Sequence, residues 1–122
     1  MQDYQWHRLF ASESEAKQTI PLHSFSSFRV EWKKICVVHI TEGFFAIEDL
    51  CPHKLIPLSK GALNAQGNLV CMWHQYTFDV CTGQEVTAKN IRNVKTFPLE
   101  FRQDGVFVGI PLKIQPKDEF SY

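Results

Sequence analysis

Two short segments carry the residues best suited to chemistry. Cys51-Pro52-His53 and Cys71-Met72-Trp73-His74 each offer one thiol and one imidazole, with residues 54–70 between them. Two sulfurs and two nitrogens are chemically adequate for tetrahedral zinc. Zinc modules, however, usually pair Cys with Cys and His with His, and place a helix after the second pair. Here each segment mixes the two donors, and Tyr76 to Val80 reads as a strand. The mixed order suits a binuclear iron–sulfur cluster: each segment gives its cysteine to one iron and its histidine to the other. Replacing two thiolates by neutral imidazoles removes negative charge, so such a cluster accepts an electron more readily than an all-cysteine one. The remaining candidates lack ligand spacing. His7, His23 and His39 read as structural, Cys36 in Ile35-Cys36-Val37-Val38 reads as a small buried hydrophobe, and Cys81 has no partner of this kind.

The elements that must hold these segments are strands. Tyr4–Phe10 reads as a first edge strand. Ser12 and Glu15 form a capping box for a short helix over Glu13–Gln18, stopped by Pro21. Phe28-Arg29-Val30-Glu31-Trp32 alternates apolar and polar, as a half-buried strand does. Lys33-Lys34 is the expected turn, Ile35–Ile40 a buried strand, and Thr41-Glu42-Gly43 the next turn. Phe44–Ile47 then delivers the chain into Cys51, completing an antiparallel meander. Gly61 and residues 65–68 read as turns, Leu69-Val70 as the strand into Cys71, and Thr82-Gly83 as the turn after the second segment. Phe97, Leu99 and Phe101 alternate with polar or proline positions. Gln103-Asp104-Gly105 turns that strand back along Val106–Ile110, the clearest hairpin in the chain. The expected fold is all-β, an antiparallel sandwich with a small metal-binding subdomain over about 50–80 and one short N-terminal helix. Residues 1–113 form a single domain, and 114–122 a polar tail.

Composition narrows the function. The chain has 122 residues, 44% of them apolar, enough for one core and too many for a disordered segment. Thirteen basic and 13 acidic side chains cancel, leaving no global field to attract nucleic acid or an anionic membrane. No run is long enough to span a bilayer. No basic start followed by an apolar run opens the chain, so the expected location is the cytoplasm, where thiols stay reduced. No dinucleotide-binding glycine motif, nucleophile triad or second metal triad is present, so an electron-transfer protein is expected rather than an enzyme.

The window resembles the Rieske family, in particular its small soluble ferredoxins. The matching residues are Cys51-Pro52-His53, Pro57-Leu58-Ser59-Lys60-Gly61, Cys71-Met72-Trp73-His74, Phe78-Asp79 and Thr82-Gly83. The resemblance implies a Rieske 2Fe–2S cluster, with Cys51 and Cys71 on the inner iron and His53 and His74 on the outer, surface-facing one. It implies that residues 57–61 and 75–78 wall the cluster, with backbone amides donating to its sulfides. It also implies a carrier that takes electrons from a reductase and passes them to a terminal enzyme such as a ring-hydroxylating oxygenase or a diiron monooxygenase. The small subunit of an assimilatory nitrite reductase is the alternative within the same fold, and a structural zinc module the alternative outside it.

The chain departs from the family pattern at informative places. High-potential members tie the two loops by a disulfide; Ile56 and Trp73 occupy those places here. Serine and tyrosine hydroxyls near the cluster in those members correspond to Tyr76 and Phe78, and Phe78 has no proton to donate. Fewer donors leave the reduced state less stabilised, so the expected potential lies at the low end of the Rieske range, about −150 mV. Leu55 and Gln75 stand where members often carry a small residue and a glycine. Leu55, Ile56 and Trp73 are expected to form an apolar collar around the two histidines, as a water shield and a docking surface together.

Overall fold

The computed structural model describes residues 3–52, 55–73, 75–87 and 91–112. Among these residues, ten strands form three antiparallel sheets, with one α-helix between β1 and β2. Strand β1 (Tyr4–Phe10) lies beside β10 (Gly105–Pro111), which pairs with β9 (Leu99–Arg102). The second sheet runs β2 (Ser24–Val30), β3 (Lys33–Ile40), β4 (Gly43–Glu48) and β8 (Thr96–Phe97). The third is small: β5 (Ala62–Leu63), β6 (Asn68–Val70) and β7 (Thr77–Asp79).

The helix α1, Glu13–Thr19, begins where the capping box places it. Ser12 Oγ accepts from the Glu15 amide at 3.0 Å. The Glu15 carboxylate reaches one residue further back than the usual box, to the Ala11 amide at 2.8 Å. Its buried face is small, Ala16, with Ile20 behind it sealing one end of the first core.

Strand β3 explains how two cores share one sheet. Ile35 and Val37 point into a core with Val106, Val108 and Ile110 of β10 and Phe97 of β8. Cys36, Val38 and Ile40, on the opposite pleat, point into a second core with Leu58, Leu69, Cys51, Cys71 and Phe78. A strand buried on both faces reads as a continuous apolar run, as Ile35–Ile40 does. The third sheet is therefore a layer packed on the outer face of the central sheet. Pro98 lies where the chain passes from β8, paired with β4, to β9, paired with β10. Proline has no amide to donate at that crossing, and its carbonyl accepts from Gly109 at 2.9 Å.

Two local expectations are corrected. The turn between β2 and β3 is Glu31-Trp32, and Lys33-Lys34 belong to β3, because Val30 pairs with Lys33 and Arg29 with Lys34. Trp32 continues the alternation of Phe28 and Val30 in sequence, yet it sits in the turn and is 46% exposed. Glu31 takes the left-handed φ of +56° that a tight turn between right-twisted strands requires. Phe101 keeps the face of Leu99, opposite the buried Val106 and 5.6 Å from the Phe44 ring, but at the end of an edge strand it stays 44% exposed.

Candidate metal centre

Cys51 and Cys71 are both fully buried, in the second core. Each opens a six-residue loop of the same construction. The Cys51 amide donates to the Ile56 carbonyl at 2.7 Å, and the Cys71 amide to the Tyr76 carbonyl at 2.7 Å. The fifth residue of each loop is left-handed: Leu55 at φ +57° and Gln75 at φ +58°. A side chain in that conformation costs about 1 kcal/mol relative to glycine. That is the reason for the family's preference for a small residue or glycine at these places. The loops are thus two copies of one device, differing in whether histidine stands second or third after the cysteine. His53 and His74 themselves lie outside the described residues. Among the described residues, no group of three His, Cys, Asp or Glu gathers to hold a metal.

Both loops are tied down at their roots. Asp49, 1% exposed, accepts at Oδ2 from Ser27 Oγ and Ser59 Oγ, each at 2.6 Å, and at Oδ1 from the Ser59 amide at 2.7 Å. Asp49 and Ser59 bracket the first loop, so this carboxylate closes it and fastens it to β2. Pro57 leads into a 3-10 turn over Leu58–Lys60, with Leu58 fully buried. Gly61 follows, against the root of the second loop. A Cβ there would lie 1.9 Å from the Val70 carbonyl oxygen, one residue before Cys71. Behind the second loop, Asp79 Oδ1 accepts from the Cys81 and Thr82 amides at 2.8 and 3.1 Å. Gly83, at φ +80°, passes so close to Val94 that a Cβ would meet its carbonyl at 2.1 Å. The motif's Ser59, Gly61, Asp79 and Gly83 are therefore joints that hold the ligand loops.

Phe78 is fully buried between these joints, and Tyr76 and Ile56 are half-buried. The Trp73 amide donates to Cys71 Sγ at 3.4 Å. Around the loops, Leu55 is 63% exposed and Trp73 46%, while Ile56 is half-buried; the histidines that the collar was expected to surround lie outside the described residues. Met72, 59% exposed, joins the collar and was not anticipated. Asp49 was also missed; the adjacent carboxylates Glu48-Asp49 before Cys51 were its only signal.

Of the remaining thiols and imidazoles, Cys36, Cys81 and His39 have well-defined surroundings. None of the four cysteines forms a disulfide, and Ile56 and Trp73 stand in the places of the stapling cysteines. Burial, with the Asp49 carboxylate adding to it, pushes the Cys36 thiol well above the ordinary cysteine range, so it stays a neutral core residue. The exposed Cys81 is also raised, by what burial it has and by the Asp79 and Glu42 carboxylates. His39 stacks on Phe44 at 3.9 Å, and its Nδ1 lies 2.7 Å from the Ile20 carbonyl oxygen.

Two buried thiols in loops of the same closure, packed on the central sheet, are placed as a metal-binding protein would place them. The chain belongs to the Rieske [2Fe-2S] domain family, whose model matches residues 9–98. Its group is a Rieske-type 2Fe–2S cluster, which replaces the zinc alternative. The chain is 29% identical over 98 residues to the ferredoxin component of a naphthalene 1,2-dioxygenase system from Pseudomonas aeruginosa. That match covers 80% of this chain and 93% of the relative. It is 30% identical over 82 residues to the ferredoxin component of the alkene monooxygenase system of Xanthobacter autotrophicus, covering 67% and 66%. Its fold matches a chain from the complex of reduced oxygenase and oxidized ferredoxin in carbazole 1,9a-dioxygenase. There the TM-score is 0.73 at 25% identity, covering 90% of this chain and 97% of the other. None of the described helices is long and apolar enough to cross a membrane.

Proposed function

We propose that this protein is the ferredoxin component of an oxygenase system, taking single electrons from a reductase and delivering them to a terminal oxygenase. The paired loops carry the reading: each is closed by its cysteine amide on the carbonyl five residues on, each has a left-handed fifth residue, and both thiols are buried in one core. His53 and His74 are the ligands of the second iron. When bound, the cluster accepts and releases one electron at a time. The chain's own part is to hold its ligands still and dry. Asp49 and Gly61 fix the loop roots, Phe78 excludes water from the inner side, and the Trp73 amide withdraws electron density from Cys71 Sγ. Residues 1–113 act as one domain with a cluster-binding subdomain over about 50–80, residues 114–122 are a polar tail, and the protein works in the cytoplasm.

The test is spectroscopic and functional. The purified protein is expected to be red-brown, to give a reduced-state electron paramagnetic resonance signal of low average g, and to restore turnover to a naphthalene dioxygenase system lacking its ferredoxin. His53→Cys or His74→Cys is expected to lower the potential or lose the cluster, while His39→Ala retains it. A bleached His39→Ala protein, or a coloured protein unable to donate to any oxygenase component, would overturn the assignment.

A further inference from the structure

Total charge is balanced, but its placement near the metal centre is not. The stretch 51–78 contains Lys54 and Lys60 and no Asp or Glu. At the foot of the first loop lies a groove of about 350 Å³ lined by Arg29, Trp32, Lys33, Lys34, Glu48, Asp49 and Leu50. Leu50 precedes Cys51, and the Asp49 amide donates to the Lys34 carbonyl at 2.9 Å, so the groove adjoins the ligand loop directly. From strand spacing and rise, its cations lie within about 15 Å of Cys51.

Both carboxylates of the groove already have partners. Glu48 takes Arg92 Nη1 at 2.6 Å and the Lys95 amide at 2.8 Å. Asp49 is buried and held by Ser27 and Ser59. The Asp49 partners are neutral, so its charge remains; with Arg92 on Glu48, the four cations Arg29, Lys33, Lys34 and Arg92 outnumber the two carboxylates and leave the groove net positive. Arg29 and Lys34 are exposed and stand directly opposite each other across the β2–β3 ladder. Like charges in that position work against the sheet. Such a pair is relieved when an anion lies between them, while the exposed ring of Trp32 supplies an apolar contact at the rim.

We propose that this groove docks a carboxylate-bearing surface of the redox partner, seating an acidic segment between Arg29 and Lys34 beside the first ligand loop. The proposal rests on the electron-carrier reading and adds the charge of the partner to it. Its occupant is a protein surface, chosen because the two opposed cations, with the Trp32 ring beside them, match a carboxylate next to an apolar side chain.

The experiment uses the reduced holo-protein in stopped flow, with an anionic oxidant, cobalt(III)–EDTA, and a cationic one, tris(phenanthroline)cobalt(III). Oxidation by the anion is expected to slow about threefold between 10 and 200 mM salt, and the cation to show no such loss. Poly-L-glutamate is expected to slow the anionic reaction further by occupying the groove. Arg29→Glu converts the opposed pair into an ion pair; it is expected to melt no lower than the parent and to lose most of the salt dependence and the polyglutamate effect. Arg29→Gln with Lys34→Gln gives the same kinetic result without a new charge. Salt-independent oxidation, a faster cationic reaction at low salt, or variants indistinguishable from the parent would overturn the docking site. Those outcomes require a reducible cluster, so they leave the carrier reading intact; a protein with no cluster signal fails that reading instead.

Discussion

Gly61→Ala tests the way the two ligand loops are coupled. Gly61 has a φ of −92°, outside the left-handed region that favours glycine. The reason for glycine is contact: the added Cβ would lie 1.9 Å from the Val70 carbonyl oxygen and 3.3 Å from the Leu58 oxygen. Both neighbours are backbone atoms, and neither can rotate away as a side chain would. Bringing the closest contact to a tolerable distance parts the two segments by about 1 Å, at an overpacking cost near the top of the usual range, about 3 kcal/mol. Val70 leads directly into Cys71, and Gly61 ends the turn that closes the first loop, so the movement separates the two thiolates from each other. Cluster content per chain, from iron analysis and visible absorbance, is expected to fall well below one. The melting temperature is expected to drop by about 10 °C. Gly43→Ala supplies the contrast: Gly43 is strained at φ +135°, nothing lies within 4 Å of its new Cβ, and it sits in the β3–β4 turn. That variant is expected to lose some stability and keep its cluster. A Gly61→Ala protein with a full cluster and a melting temperature within about 2 °C of the parent would refute the contact argument.

Three further outcomes follow from the same geometry. Asp49→Ala strands the Ser27 and Ser59 donors and is expected to lose about 3 kcal/mol in urea denaturation, with Asp49→Asn in between, because buried donors left unpaired carry the full desolvation cost. Leu55→Gly and Gln75→Gly each relieve a left-handed side chain but loosen the unfolded chain. The net expectation is a gain of about 0.5 kcal/mol apiece in the denaturation midpoint, and a loss at both sites would contradict the strain assignment. Voltammetry of the holo-protein is expected to give a midpoint near about −150 mV, and a clearly positive value would show that hydrogen-bond donors absent from this account reach the cluster.

What the sequence disclosed depended on how local the cause was. The two Cys–His pairs stood out in the sequence because metal chemistry demands residue types at fixed spacing. The buried strand Ile35–Ile40 was legible from its apolar run, but not that its two faces serve different cores, since that depends on which layers are stacked on it. The turn at Glu31-Trp32 was misplaced because Trp32 extends the period of Phe28 and Val30, and only the pairing of Val30 with Lys33 fixes the register. Leu55 and Gln75 stood out as departures, yet their left-handed backbone was invisible without coordinates. Asp49, Gly61 and Gly83 act across distances in sequence of ten residues or so. Their partners, Ser59, Val70 and Val94, could not be read from spacing.

The matched loops bear on how an electron can pass quickly. A carrier must bind its cluster in two oxidation states without rearranging, so the ligands must be held by something other than the metal. In this chain that work is divided between a carboxylate at the root of one loop and a glycine contact at the root of the other, both anchored in the same core as the thiols. The two left-handed residues then orient each loop's far side at the cost of about 1 kcal/mol each. That strain is sustained because the backbone closures at Cys51 and Cys71 and the burial of Leu58, Leu69 and Phe78 overdetermine the loop path. Above them Leu55, Met72 and Trp73 present exposed apolar surface, and the unbranched Met72 adapts readily to a partner. A rigid inner half and an adaptable outer half are what a small protein needs if it must meet both a donor and an acceptor through one end.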